Sequence, residues 1–192
     1  MIFVTLGTHE QPFARALDLV AELEFEEEEE VVVQYGATPA RSDLSNVEWV
    51  DYLEWDALTQ TMRRAEVVIS HAGVGSTVTA IRAGKRPVVV PRLARFGEHV
   101  DDHQLQLAER LAQRELALVC GLGESLLGIV EEARASRAPA LATGRSQLHR
   151  AVAEAALGGR RDDETPSGQE PGVTTCRLAH GNLARTVLGY WL

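Results

Sequence analysis

Ser70-His71-Ala72-Gly73-Val74-Gly75-Ser76-Thr77 stands between a short apolar run, Glu66 to Ile69, and a helical pattern, Ser76 to Ala83. A strand that passes through two glycines straight into a helix is the central unit of a parallel α/β fold. Glycine lets backbone approach a ligand closely, and the helix start behind it offers unbonded N–H groups and the positive end of the helix dipole. Ser76 and Thr77 add hydroxyls. These are the parts needed to hold a diphosphate. The plainer alternative is an ordinary turn with Ser76 as helix cap.

The same alternation runs outward in both directions. Ile2 to Leu6, Val31 to Tyr35, Val47 to Val50, Pro87 to Val90 and Leu116 to Val119 read as strands. Gln11 to Glu24, Leu53 to Arg64, Asp101 to Arg114 and Glu124 to Ala135 read as helices, with apolar residues at helical spacing such as Phe13, Leu17, Val20 and Leu23. Continuous apolar strands alternating with helices predict a doubly wound, Rossmann-like parallel sheet covered on both faces. Ligands of such sheets bind at the carboxyl ends of the strands. The loops of interest are therefore Gly7 to Pro12, Ser70 to Gly75, and Arg92 to Asp101. The domain is expected to span residues 1–157. Residues 158–192 begin with a linker-like stretch, Gly158 to Gly168, and regain apolar character from Leu183 to Leu192, as a short docking helix would.

Two other loops carry polar groups to the same edge. Gly7-Thr8-His9-Glu10 follows the first strand, and His9 is a candidate base, though such a histidine is more often a solvated loop residue. Gly97-Glu98-His99-Val100-Asp101-Asp102-His103-Gln104 lies in the next βα loop along the sheet. Its carboxylates and amides can accept bonds from sugar hydroxyls, or simply favour a helix start. His99 and His103 are four residues apart, the spacing of two metal ligands on one helical turn, but no third ligand stands out and no metal is expected. Other phosphate motifs are not met. Val78 stands where a dinucleotide fingerprint needs its third glycine, and Gly84-Lys85-Arg86 lacks the rest of a P-loop.

Composition narrows the function further. The 192 residues are 45% hydrophobic but only 5% aromatic, which predicts an aliphatic core. A net charge of −9 argues against nucleic-acid binding by bulk electrostatics. Two cysteines without a CxxC pair fit a reducing compartment. No apolar stretch approaches the roughly 20 residues that span a bilayer. A cytoplasmic protein is expected, peripheral to the membrane only through a partner. Glu26 to Glu30 reads as a solvated, self-repelling loop.

Together, Met1-Ile2-Phe3-Val4-Thr5-Leu6-Gly7-Thr8, the Ser70 to Ser76 turn, Ala83-Gly84-Lys85-Arg86-Pro87 and Asp102-His103-Gln104-Leu105-Gln106-Leu107-Ala108 resemble the C-terminal domain of glycosyltransferase family 28. That family includes the small UDP-N-acetylglucosamine transferase subunit of dolichol-linked oligosaccharide synthesis, the enzyme that makes lipid II, and paired subunits of bacterial exopolysaccharide synthesis. The Phe96 to Gln104 stretch looks most like the bacterial stand-alone members. The resemblance covers about residues 1–120.

It implies the C-terminal-type half of a GT-B fold and the donor-binding subunit of a hexosyltransferase. Such a subunit takes a UDP-sugar as donor, with no cofactor or metal, and is inactive or weak without a membrane-associated partner that holds a lipid-linked acceptor. It implies donor contacts at His71, Gly73, Val74, Gly75, Ser76, Asp102, His103 and Gln104, and places Thr8 near the diphosphate or the acceptor. Glu98 belongs to the same polar loop. Thr79 occupies the position where the family often has a carboxylate for the ribose, and can hydrogen-bond there only more weakly. Self-association through the exposed edge or the apolar C-terminal end is also expected. The alternatives are a non-catalytic nucleotide-sugar-binding or scaffold subunit, and a protein like a nucleotide-sugar epimerase, which would need both domains in one chain.

Overall fold

A computed structural model describes residues 1–136 apart from positions 24, 26, 27 and 45. The expected tail, residues 158–192, lies outside the described residues. The elements follow one another as β1 (Ile2–Thr5), α1 (Ala14–Ala21), β2 (Val31–Gln34), β3 (Val47–Val50), α2 (Trp55–Arg64), β4 (Val67–His71), α3 (Val74–Arg82), β5 (Val88–Val90), a 3-10 turn (Ala94–Phe96), α4 (His103–Gln113), β6 (Leu118–Val119) and α5 (Leu126–Ala135).

The six strands form one sheet in the order β3-β2-β1-β4-β5-β6, and every pairing is parallel. Successive strand residues point to opposite faces, and this sheet buries both. Ile2, Val4, Val31, Val33, Val67, Ile69, Val88 and Val90 pack with Leu17 and Val20 of α1 and Leu126 and Val130 of α5. On the other face Phe3, Val32 and Val68 meet Met62 of α2 and Ala80 of α3, while Val89 meets Ile81 of α3 and Leu107 and Leu111 of α4. The expected doubly wound architecture is therefore present, and its core is mainly aliphatic.

Several element boundaries shift, and one shift moves the site. Helix α3 starts at Val74 and not at Ser76, with Gly73 as its N-cap. Strand β4 runs on to His71. The six-residue turn expected over Ser70 to Gly75 contracts to Ala72 and Gly73. Glycine is a poor helix former, so Gly75 reads as loop in the sequence, yet it sits in the first helical turn. Helix α4 starts at His103, leaving Asp101 and Asp102 in the loop. In the glutamate run, Glu29 pairs with Arg134 and Glu30 with Arg64 at 3.0 Å. These members are thus held by arginines and are not simply self-repelling.

The strand order reverses direction between β1 and β4. A crevice opens at such a switch point outside the carboxyl ends of the strands. The loops after β1, β4 and β5 border it.

Candidate functional site

Strand β4 delivers His71 to the carboxyl edge. The chain then turns at once: the Gly73 N–H donates to the His71 carbonyl at 2.8 Å, and the Gly73 carbonyl accepts the first helical bond from the Thr77 N–H at 3.0 Å. The N–H groups of Val74, Gly75 and Ser76 therefore precede the first helical donor, and no side chain caps α3. Three parallel donors and the positive end of the helix dipole face the crevice.

The His71 imidazole packs between two glycines. A Cβ on Gly73 would stand 2.8 Å from its Cδ2, and a Cβ on Gly7 would stand 2.8 Å from its Nε2. Gly7 also has φ +77°, a conformation that other residues seldom adopt. Gly36, at φ +57°, backs onto the Gly7 carbonyl in turn. The ring is thus enclosed by backbone on both sides. Burial, followed by the charge of Arg92, pushes His71 down to about 4 against the opposing pull of the Thr5 backbone. His71 is neutral at physiological pH, and its Nδ1 has no hydrogen-bond partner.

A brace that the motifs do not reveal fixes the loops after β1 and β5 to one another. Arg92 follows β5 and is 1% exposed. Its guanidinium donates to the carbonyls of Leu6 (2.8 Å), Gln11 (2.7 Å) and Glu98 (2.9 Å), and lies over the Phe13 ring at 4.7 Å. Burial lowers it to about 10, so it remains charged at neutral pH. The sequence signal was a lone arginine directly after an apolar strand, which says nothing about its partners. Arg15 of α1 is the second part of the brace. It clasps both oxygens of Glu98 at 2.9 Å and donates to the Pro91 carbonyl at 2.7 Å.

The remaining expected residues divide into two groups. Thr8 is exposed beside the crevice, and His9 is partly buried with its ring 4.7 Å from that of His99. Burial, then His99 and Arg92, lower His9 below the usual histidine range, while Glu10 opposes. His103 begins α4, is exposed, and its Nδ1 lies 2.6 Å from Asp101 Oδ2. Asp102 is exposed, and one oxygen accepts the Ala94 N–H at 2.9 Å.

Two expectations are corrected, and a third is narrowed. Glu98 is buried, and its carboxylate is occupied by Arg15 and by the Leu93 N–H at 2.9 Å, so it anchors the loop and does not present oxygens to a ligand. Thr79 is 2% exposed and donates its hydroxyl to the Gly75 carbonyl at 2.8 Å, so it is not a free ribose donor. Gln104 is buried, and its side-chain oxygen accepts the Arg92 N–H at 3.1 Å. For Glu98 and Thr79 the spacing placed the residue near the edge, but burial gave its polar atoms to the loop or helix itself.

His99 and His103 do not share a helical turn, because α4 begins only at His103. Both rings instead turn to Asp101, His99 at 3.1 Å. Thr77, offered as a hydroxyl donor, is fully buried within α3. Cys120 is also buried, and its thiol is raised to about 11 by that burial, so it is not a ready nucleophile. A cavity of about 440 Å3 lies at the opposite end of the strands, between Met1, Ile2, Leu127, Val130 and Arg134. It holds no histidine or glycine turn, and its arginine already pairs with Glu29 and Glu66. The chemically equipped edge is the carboxyl one.

Residues 1–156 match the family described as the glycosyltransferase family 28 C-terminal domain. Over 71 residues the chain is 44% identical to the UDP-N-acetylglucosamine transferase subunit ALG13 of Yarrowia lipolytica, a stretch that covers 37% of this chain and 34% of that relative. The match thus spans about a third of the curated relative's length. Among solved structures, the NMR solution structure of ALG13 superposes with a TM-score of 0.52 at 21% identity, covering 79% of this chain and 94% of that one. The glycosyltransferase SnogD from Streptomyces nogalater gives 0.51 at 18% identity, covering 81% of this chain and 38% of that one. These superpositions show a shared fold.

Proposed function

The chain belongs to the glycosyltransferase family 28 C-terminal domain family, and from that premise we propose that it is the donor-binding subunit of a hexosyltransferase. It binds a UDP-sugar and works with a separate, membrane-associated chain that holds a lipid-linked acceptor. The observation that carries this reading is the α3 start, where the N–H groups of Val74, Gly75 and Ser76 stand uncapped beside the enclosed, neutral His71. An acceptor hydroxyl attacks the anomeric carbon, the carbon–oxygen bond to the diphosphate breaks, and its electron pair leaves with UDP. Donors fixed in advance at the position of the developing charge stabilise that step most. The helix start performs this role here without a metal. The acceptor wall and the base come from the partner, with His9 as a second candidate base from this chain.

The exposed apolar side chains support a partner at this edge. Tyr52 and Trp55 follow β3, Val74 follows β4, Phe96 and Val100 follow β5, and Leu122 follows β6. These six of the seven exposed large apolar side chains among the described residues lie on segments leaving the carboxyl ends of the strands; the seventh, Leu127, is on α5 beside the opposite cavity. Such a grouping marks an association surface. No helix among the described residues is long and apolar enough to cross a membrane, and membrane attachment is assigned to the partner, on the cytoplasmic side. In the partner's absence the same edge supports self-association.

Calorimetry with UDP and UDP-N-acetylglucosamine, with and without EDTA, tests the donor reading. Binding that EDTA leaves unchanged is expected, and strict dependence on a divalent ion sinks the metal-free mechanism. The second reading, a nucleotide-sugar-binding subunit without catalysis, is favoured by Thr79, whose hydroxyl is engaged by its own helix. Donor binding without turnover, even with partner membranes present, selects it.

A further inference from the structure

Four histidines meet at the carboxyl edge, and their surroundings are short of available negative charge. His71 lies against Gly7 and Gly73, directly before the uncapped start of α3. His9 reaches in from the β1–α1 loop and packs its ring on His99 of the β5–α4 loop at 4.7 Å. We propose that capture of a nucleoside diphosphate on the α3 start is coupled to uptake of a proton by His9 and His71. This inference rests on the donor-site reading above and concerns the regulation of that site.

The charges facing these two rings come from every loop of the edge. Arg92 from the end of β5 and His99 lower both, and His9 lowers His71 in turn. Glu98 is the nearest carboxylate on that loop, but Arg15 holds both of its oxygens. Asp101 is divided between His99 and His103. Glu10, next to His9, is the one carboxylate that raises it. The unliganded edge therefore holds His71 neutral and disfavours the charged form of His9, with the His71 Nδ1 unpartnered. A diphosphate reverses the local sign. An opposite charge within about 4–6 Å raises an imidazole's pKa by roughly one to three. That raises His9 from its lowered state and moves His71 from about 4 toward 6.

The sign of the linkage follows. Each histidine has a low pKa in the free protein and a higher one in the complex. Affinity is therefore greatest below the free value and is lost as pH rises through the bound value, by up to about tenfold per pH unit for one proton. By reciprocity, a protonated edge favours donor capture and a deprotonated edge favours release of UDP.

The test is titration of the full chain with UDP from pH 5.5 to 8 in two phosphate-free buffers of different ionisation enthalpy, for the wild type, His9→Gln and His71→Gln. UDP itself titrates near neutrality, but its contribution is common to the three proteins and cancels in their difference. His9→Gln changes a partly exposed loop residue and keeps the comparison valid if His71→Gln folds poorly. Between pH 8 and pH 6 the wild type should gain about fivefold more affinity than His9→Gln, and should take up more protons per UDP bound. Equal proton counts and equal pH slopes in the wild type and the variants overturn the coupling while leaving the donor site intact. No UDP binding at any pH overturns the donor site and the coupling with it.

Discussion

The imidazole of His71 rests against the α-carbon of Gly73 so closely that a side chain on the glycine would stand 2.8 Å from the ring Cδ2. That contact joins the last residue of β4 to the N-cap of α3 and sets the direction in which the helix start points.

Gly73→Ala should therefore act through His71. The φ of −82° suits alanine, so the cost comes from the overpacked ring, about 1–3 kcal/mol. UDP affinity should fall at least about tenfold if the helix start turns away from the ligand, a change of roughly 1.4 kcal/mol. Gly73→Ala combined with His71→Ala should recover part of the stability lost in Gly73→Ala alone, as a double-mutant cycle in urea would report. Additive losses would show that the ring does not set the turn.

Acid should weaken the fold through the same histidine. His71 stands at about 4 in the folded chain against about 6.5 unfolded. A histidine lowered by folding contributes nothing to the pH dependence above the unfolded value. As pH falls from about 6.5 to about 4 the unfolded chain binds the extra proton and stability drops, by up to about 3 kcal/mol. Urea midpoints at pH 7 and pH 4.5 should differ less for His71→Gln than for the wild type. An identical acid loss in both would place the effect on other groups.

Glu98 should behave as a structural residue. Glu98→Ala leaves the Arg15 guanidinium with the Pro91 carbonyl alone and removes the acceptor of the Leu93 N–H. Removing one partner of a buried pair costs about 3–5 kcal/mol, and Arg15 is 19% exposed, which favours the lower end. Chemical denaturation measures this. A variant of unchanged stability and weakened UDP binding would return Glu98 to the ligand.

The apolar fringe should separate partner binding from donor binding. Tyr52 and Leu122 are 52% and 56% exposed after β3 and β6, outside the loops that border the crevice. Tyr52→Ser with Leu122→Ser should leave UDP affinity within about twofold, because surface changes away from the site are small. It should lower transfer of labelled sugar to lipid acceptor in the presence of partner membranes. Full turnover by the purified chain without membranes would refute the half-enzyme reading.

The alternation of β-branched runs with helical periods, and the two glycines of Ser70 to Ser76, determined the parallel sheet, the doubly wound layers and the edge where the ligand chemistry lies. Those features are local: strand and helix periods and glycine turns are written in neighbouring residues. Which polar side chains are available to a ligand was decided by tertiary structure. Arg15 meets Glu98 across 83 residues and Arg92 meets Leu6 across 86, and nothing in their spacing announces the brace. Thr79 and Gln104 share the sequence neighbourhood of the site but bury their oxygens in it. His71 is neutral because Gly7 and Gly73, from two different strand ends, close over it beside Arg92. Burial and charge are sums over distant segments, so a histidine's protonation or a carboxylate's freedom cannot be read along the chain until the sheet has brought those segments together.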